Sequence, residues 1–167
     1  ECARVVPVVE AIRQKFGEEV WLSIDTSSPK VIEQAVQAGA DIWNDVRALS
    51  REGAPEMAAK LGIPVVLMHM RGEPTTMNAK AQYQDVLQEV IAELKQRIDC
   101  AEQAGVKRSH IIIDPGFGFA KDYEHHKVLL NQLTELHQLQ LPILFGISRK
   151  RFLGEVLNRT ELPAFSE

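Results

Sequence analysis

The sequence predicts an α/β fold built around a parallel sheet, and three observations lead to this prediction. Short apolar runs of strand length alternate with amphipathic helical patterns along the chain. The runs are apolar throughout, which is typical of buried parallel strands that pack against helices. Loops of only a few residues join most of these segments, as in repeated βα units. The expected architecture is therefore a sheet of parallel strands with helices packed outside it.

Five strands are predicted, each from a run of apolar residues that are often β-branched or aromatic. They cover residues 20–24, 42–43, 63–70, 110–113 and 141–147. Polar residues stand at the carboxyl end of each run. The longest irregular piece, residues 71–79, is predicted to be a loop after the third strand.

Six helices are predicted between and beside these strands from apolar residues at helical spacing. They cover residues 5–16, 29–38, 55–61, 80–104 and 122–138, with a last helix after residue 150. Ser28 followed by Pro29 is a start signal, because serine caps a helix and proline suits its first turn. Glycines end four of the helices, since glycine readily takes the left-handed conformation found there: Gly17, Gly39, Gly62 and Gly105.

The composition of the 167 residues is that of an ordinary globular domain. Hydrophobic residues make up 45% and charged residues 25%, which excludes disordered, collagen-like and coiled-coil classes. A net charge of −4 without a run of Lys or Arg makes nucleic acids and anionic membranes poor partners. No apolar run approaches the roughly 20 residues of a membrane span, and the chain opens in a helical pattern, not a signal peptide. Cys2 and Cys100 lack a CxxC partner, so we expect free thiols and a cytoplasmic location.

The pattern leaves two parallel α/β folds open. A (β/α)8 barrel takes eight strands and about 250 residues, whereas an open, doubly wound sheet needs only five strands. The chain begins with a helix that no strand precedes, and residues 163–167 look like the approach to another helix. We therefore expect a single domain over residues 1–167 that is truncated at both ends.

The polar residues at the strand ends are the most informative feature of the sequence. They are Asp25, Asn44, Asp45, His69, Asp114, Ser148, Arg149 and Lys150. The carboxyl ends of parallel strands form the ligand-binding face of both candidate folds. Taken singly, Asp25 could cap a helix, and Asn44 and Asp114 could be turn residues. Two carboxylates, an amide and a lysine at one rim favour a binding site.

These residue types suit a planar heterocycle. A carboxylate can accept hydrogen bonds from an amino group and an adjacent ring N–H at the same time, and an amide both donates and accepts. A lysine would face the carbonyl oxygen of the ring. Ser148, Arg149 and Lys150, placed just before a helix, also predict an anion site. The residues therefore predict a heterocycle that carries phosphate or faces an anionic partner.

Other motifs in the sequence are weaker. The GxG at 116–118 lacks the third glycine of a dinucleotide fingerprint, and neither a P-loop nor GxSxG is present. His125 and His126 are neighbours on a helix and point apart, which predicts a solvated helix start and not a metal site.

Aromatic and sulfur-containing side chains near the strand ends can serve a ligand or the core. His69 is predicted to be a packed strand-end residue and not a base. Met68, which points the opposite way, could line an aromatic ligand or fill the core. Phe117 and Phe119 flank a glycine and are predicted to stack on a ligand or cover it.

Five segments together resemble the dihydropteroate synthases, folate-pathway transferases that sulfonamides inhibit. They are residues 24–27, 42–47, 66–70, 113–119 and 146–150. Asp-Pro-Gly-Phe-Gly-Phe at 114–119 and Ser-Arg-Lys at 148–150 are the specific part of this resemblance. Ala120 departs from it, because members often carry glycine there, and this bears only on loop flexibility.

The resemblance implies a (β/α)8 TIM barrel, of which this chain would cover roughly strands 3 to 7. It also implies a pterin-binding domain whose first two strand-end loops lie before Glu1 and whose last strand lies after Glu167. Mg²⁺ is implied as a cofactor, with its ligand in the missing N-terminal loop and none in this chain. A cytoplasmic homodimer is implied as well.

The implied reaction condenses 6-hydroxymethyl-7,8-dihydropterin diphosphate with 4-aminobenzoate to give 7,8-dihydropteroate and pyrophosphate. Asp25, Asn44 and Asp114 would hold the pterin ring, with Lys150 on its carbonyl edge. Met68 and Phe119 would flank the pterin, and Ser148 and Lys150 would line the 4-aminobenzoate side. The resemblance assigns catalysis to Asp25, Asp114 and Lys150.

Two other functions share this resemblance. A pterin-binding methyltransferase domain has the same barrel and a similar grip on pterin, although Ser-Arg-Lys at 148–150 argues against it. A non-catalytic fragment that holds pterin without turnover is the second. A sulfonamide-insensitive relative would differ mainly around Phe119.

Overall fold

Four parallel strands form one sheet in the order β1-β2-β3-β4 in the computed structural model, which describes residues 1–72 and 81–157. The strands are β1 (Ser23–Asp25), β2 (Ile42–Asp45), β3 (Val65–Met68) and β4 (Ile111–Asp114). All three pairings are parallel. Strands that neighbour each other in chain order are typical of a barrel wall, whereas a doubly wound sheet reverses its order at a switch point.

Helices connect the strands and pack outside the sheet. They are α1 (Cys2–Phe16), α2 (Pro29–Gln37), α3 (Ala54–Leu61), α4 (Val86–Gln103), α5 (Tyr123–Asn131) and α6 (Arg151–Val156). In the described part of the chain, the 3₁₀ segments Arg108–His110 and Leu133–Leu139 complete the connections. None of the helices in the described ranges is long and apolar enough to cross a membrane.

The core lies between the sheet and these helices. Alternate strand residues point toward the helices, and those of the inner strands are fully buried: Trp43, Val65, Leu67, Ile111 and Ile113. Leu94 and Ile98 of α4 belong to the same cluster. The apolar residues at odd-numbered positions of β2 to β4 form this helix-packed face. The polar residues at even-numbered positions, Asn44 and Asp114, therefore lie on the other face.

Among the residues that the structure describes, the predicted fifth strand, 141–147, forms a single parallel bridge, between Ile113 and Ile143. The Ile113 N–H donates to Pro142 O at 2.9 Å, and the Leu144 N–H donates to Ile113 O at 2.8 Å. The next donor on β4 would be Pro115, which has no N–H. Pairing therefore stops after one step.

Two predicted helices are shorter than expected. Helix 80–104 begins at Val86, because the Asp85 carboxylate accepts the Gln88 N–H at 3.1 Å and caps it there. Lys80 lies outside the described residues, and residues 81–85 are not helical. Helix 122–138 breaks at Gln132, and its second half is the 3₁₀ segment that buries Leu136 and Leu139.

Candidate functional site

Strand register places four of the predicted site residues on one face of the sheet. Asp25 pairs with Asn44, and Met68 pairs with Asp114. Asn44 also pairs with Val66, two residues before Met68, so these side chains all leave the sheet on the same side. This polar face is opposite the helix-packed face, and the carboxylates and the amide meet at its carboxyl-end rim.

Asp114 is a buried carboxylate with an open side. It is 8% exposed, and its Oδ1 accepts the Gly116 N–H at 2.7 Å. Within residues 1–72 and 81–157, Oδ2 receives no hydrogen bond. A Cβ at Gly146 would lie 4.0 Å from Oδ2, so glycine leaves space beside it. Burial raises the pKa of Asp114, while the Gly116 N–H and the charges of Lys121 and Lys150 oppose this rise.

Asp25 and Asn44 form the second polar pair of the site. Asp25 ends β1, the edge strand, and is more exposed than Asp114. Its carboxyl group is partly buried, and this burial raises its pKa against the lowering effect of a hydrogen bond with Asn44. Asn44 is half-buried and also accepts the Thr26 N–H on its main-chain oxygen at 3.1 Å.

Asp45, the other residue of the Asn-Asp pair, builds the turn after β2. It is fully buried, and its carboxylate accepts a hydrogen bond from Ser27 Oγ. The same carboxylate accepts the N–H groups of Arg47 at 3.0 Å and Leu49 at 2.8 Å. The turn therefore uses Asp45, and the Asn44 side chain stays available on the polar face.

Lys150 and Phe119 come together although they are far apart in sequence. Lys150 Nζ lies 4.4 Å from the centre of the Phe119 ring, a cation–π distance. Gly118 permits this contact, because a Cβ there would lie 2.9 Å from Lys150 Cδ. Lys150 also precedes α6 as its N-cap residue, and Ser148 is exposed nearby in sequence.

The prediction that Phe117 serves a ligand is wrong. Phe117 is 1% exposed and packs in the core against Phe145 at 4.8 Å and Phe152 at 5.6 Å between ring centres. Phe119, two residues later, remains half-buried beside Lys150. Phe117 therefore belongs to the core, and Phe119 belongs to the candidate site.

The prediction of a solvated helix start at His125 and His126 is wrong for His126. This ring is buried and stacks on Phe152, with ring centres 4.5 Å apart. Its Nε2 accepts the Gly118 N–H at 2.8 Å, so the hydrogen is on Nδ1, which donates to Asp122 O at 2.5 Å. Burial lowers the pKa of His126. His125 belongs to the capping box of α5 with Asp122.

His69 is packed at its strand end, as predicted, and its partners were not found by sequence reasoning. Its Nε2 lies 3.0 Å from Glu93 Oε2, and its Nδ1 lies 2.9 Å from Lys121 Nζ. Burial and the charge of Lys121 lower the pKa of His69 to about 4. Burial likewise lowers the pKa of Lys121 to about 7. A lysine one residue after Phe-Gly-Phe-Ala is the one signal that could have drawn attention to this cluster.

The family of this chain is established by its match to a family model. The model of the pterin binding enzymes matches residues 1–166. The chain therefore belongs to the pterin binding enzyme family, and the resemblance read from the strand-end motifs is confirmed.

Within this family, the curated relatives that the chain matches include dihydropteroate synthases. The chain is 49% identical over 158 residues to the dihydropteroate synthase of Escherichia coli K12, a match that covers 95% of the chain and 55% of that relative. It is 45% identical over 159 residues to the dihydropteroate synthase of Haemophilus influenzae, with coverage of 95% and 57%. The chain thus spans about half the length of the curated relatives it matches.

Solved structures show the same likeness. Dihydropteroate synthase from Stenotrophomonas maltophilia, with imidazole in its active site, superposes with a TM-score of 0.92 at 45% identity over 98% of this chain and 61% of that one. The Xanthomonas albilineans enzyme in complex with 7,8-dihydropteroate gives 0.87 at 44% identity over 98% and 58%. The predicted barrel fold class is confirmed for the part that the chain spans.

Proposed function

We propose that this chain carries the pterin-binding face of a dihydropteroate synthase. The reaction would join 6-hydroxymethyl-7,8-dihydropterin diphosphate to 4-aminobenzoate and release pyrophosphate. The observation that carries this proposal is Asp114, a buried carboxylate with an open oxygen, on the same face as Asn44 and Met68. The relative from Xanthomonas albilineans, solved with 7,8-dihydropteroate, supports this choice of ligand.

Each residue of the face has a part that its chemistry suits. Asp114 would accept the amino group and ring N–H of the pterin through its open edge. Asn44 and Asp25, which are paired, would hold the far end of the ring. Lys150 would donate to the ring carbonyl, and Met68 and Phe119 would lie against the ring faces. Ser148 and Lys150 would line the 4-aminobenzoate side.

The chemical step needs a charged environment more than a strong base. The bond between the pterin methylene carbon and the diphosphate oxygen breaks, and pyrophosphate leaves with the electron pair. The cation left on the conjugated pterin is stabilised by the carboxylates of Asp25 and Asp114. The amino nitrogen of 4-aminobenzoate then bonds to the methylene carbon and releases a proton. Catalysis is accordingly proposed for Asp25, Asp114 and Lys150.

A magnesium ion is a further part of the proposal. Residues 1–72 and 81–157 hold no group of three or more His, Cys, Asp or Glu side chains placed for a metal ion. The described residues therefore do not fit a resident metal, and no step is assigned to one. Mg²⁺ commonly binds substrate phosphates with only one or two carboxylates, so we propose that it enters with the diphosphate.

We also propose a cytoplasmic homodimer that sulfonamides inhibit. Unpaired thiols at Cys2 and Cys100 support a reducing compartment. The Yersinia pestis relative, solved as a sulfonamide drug complex, supports the inhibitor class. The homodimer rests on the family resemblance alone, and sedimentation of the purified protein would test it.

Turnover by the full-length natural protein tests the proposed function. The protein is mixed with dihydropterin diphosphate and 4-aminobenzoate, and mass spectrometry follows 7,8-dihydropteroate while a coupled assay follows pyrophosphate. We expect equal amounts of both products, and neither without 4-aminobenzoate. Pterin binding without products would indicate a binding module, and transfer of a methyl group would indicate the methyltransferase.

A further inference from the structure

A buried lysine that is held by neutral acceptors lies behind the candidate site. Lys121 is 9% exposed, and its Nζ lies 2.9 Å from His69 Nδ1, 3.2 Å from Gly116 O and 3.1 Å from Phe119 O. An ammonium group has three N–H donors and no lone pair, so these three acceptors satisfy it completely. No ion pair among the described residues includes this lysine.

The contact with Glu93 determines the state of His69. Because the ionised Glu93 carboxylate only accepts, the ring hydrogen is on Nε2, and Nδ1 of the neutral ring is left as an acceptor for Lys121. That hydrogen is donated to Glu93 Oε2 at 3.0 Å. Although burial raises the pKa of Glu93, hydrogen bonds from His69 and Arg71 outweigh it and lower the pKa to about 2. The neutral histidine therefore bridges the Lys121 amino group and the Glu93 carboxylate.

Hydrogen bonds and one cation–π contact connect Glu93 back to the loop after β4, which holds Lys121. Arg71 Nε donates to Glu93 Oε1 at 2.9 Å, and the guanidinium lies 4.0 Å from the centre of the Tyr83 ring. Tyr83 donates its hydroxyl hydrogen to Ala120 O at 3.0 Å, beside the lysine. This closed ring of contacts ties the end of β3, helix α4 and the loop after β4 to one another.

The backbone of the loop after β4, which the closed ring of contacts holds, is restricted to one conformation. Gly116 has φ +71°, and a Cβ there would lie 1.9 Å from His69 O. Ala120 also has a left-handed backbone, with φ 48°. Glycine takes a positive φ freely, but a residue with a side chain, such as Ala120, keeps one only where surrounding contacts enforce it. The lysine supplies contacts at both ends, on the carbonyls of Gly116 and Phe119.

We infer that Lys121 is a positioning residue that fixes Asp114 and Phe119 for the pterin. This inference rests on the proposed function. Gly116 donates its N–H to Asp114 Oδ1 and accepts from Lys121 on its carbonyl, so one residue links the lysine to the carboxylate. Phe119 likewise accepts from Lys121 on its carbonyl and places its ring beside Lys150. These two residues give the lysine its hydrogen-bonded link to Asp114 and to the Phe119 ring.

The test measures dihydropterin diphosphate affinity by titration calorimetry on the full-length natural protein. Lys121→Met keeps the length of the side chain and removes all three donors, and we expect affinity at least tenfold weaker. Lys127→Met is the matched control, because Lys127 is an exposed lysine of α5 that contacts Glu124 and the Tyr123 ring, and the affinity of this variant stays at the wild-type value. Equal affinity of Lys121→Met and wild type would overturn the inference.

If Lys121→Met does not fold, His69→Asn and His69→Gln test the inference in its place. Asparagine at position 69 places its amide oxygen near Nδ1 and keeps an acceptor for the lysine, whereas glutamine reaches toward Glu93 and does not. We expect His69→Asn to bind the pterin at least fivefold more tightly than His69→Gln. A purely structural role predicts the same affinity in both, with only different unfolding midpoints, and that result would overturn the inference. If wild type itself takes up no dihydropterin, the proposed function fails first.

Discussion

Replacing Asp114 by asparagine separates binding from stability at the candidate site. The pterin would present two hydrogens to this carboxylate, while Oδ1 already accepts the Gly116 N–H at 2.7 Å. Losing one hydrogen bond to a charged group costs about 1.5–3 kcal/mol, and leaving a pterin N–H against the NH₂ group costs about 1–3 kcal/mol more, so binding weakens by about 3 kcal/mol or more. This corresponds to a dissociation constant at least about 100-fold higher. The amide cannot compensate, because whichever way it turns, its NH₂ faces another donor.

Asp114→Asn should not lower the stability of the folded protein, although it weakens binding. Burial raises the pKa of Asp114, so the folded state disfavours the charged form and is penalised above that pKa. Asp114→Asn removes the charge and should leave the urea midpoint at pH 7 equal to or above that of wild type.

The assay is titration calorimetry with dihydropterin diphosphate, paired with urea unfolding, on wild type, Asp114→Asn and Asp99→Asn. Asp99 is an exposed residue of α4 and serves as the control for the change of charge. An unchanged dissociation constant for Asp114→Asn would refute the assignment of this carboxylate to the ligand. A lower midpoint would refute the argument from burial.

Three further predictions concern Lys150, Gly116 and His69. Lys150→Ala should raise the Michaelis constants for both substrates, since the cation would serve both sides of the site, and normal constants for both would contradict its placement. Gly116→Ala should lower the free energy of unfolding by about 2–4 kcal/mol, because its Cβ would meet His69 O at 1.9 Å at a left-handed φ. Gly53→Ala, with φ +74° and no atom within 4 Å, should lower it by only about 1 kcal/mol; equal losses in urea titrations would rule out the steric argument. His69 has a folded pKa of about 4 against 6.5 when free, so its contribution to stability is lost as the pH falls from 6.5 to 4. The slope of the free energy of unfolding against pH gives the number of protons taken up on unfolding. His69→Asn should lower this number by about one between pH 4 and 6.5, and an unchanged slope would argue against a buried neutral ring.

Much of the site could be predicted because it depends on local pattern. Asp25, Asn44 and Asp114 each end an apolar run, and the ends of parallel strands must share a rim. The roles of neighbouring residues could not be separated in this way. Asp45 stands beside Asn44 in the same pair but builds the turn, a distinction that depends on which side of β2 each side chain leaves.

Partners distant in the chain were beyond sequence reasoning. Phe117 enters the core because Phe145 and Phe152, about thirty residues later, pack against it. Phe119 stays out because Lys150 meets its ring. Nothing in Phe-Gly-Phe distinguishes the two rings, since their surroundings come from other elements.

The sequence by itself determined the alternation of strands and helices, the polar strand ends and the resemblance to the dihydropteroate synthases. The alternation and the strand ends follow from periodicity and capping, which act over a few residues, whereas the resemblance depends on five short segments of matching residues. Only the tertiary structure decided the register of the strands, and that Lys121 meets His69 across 52 positions of the chain. The physical reason is that a buried charge has no local pattern of its own. It is tolerated only where the fold brings enough acceptors together to replace water.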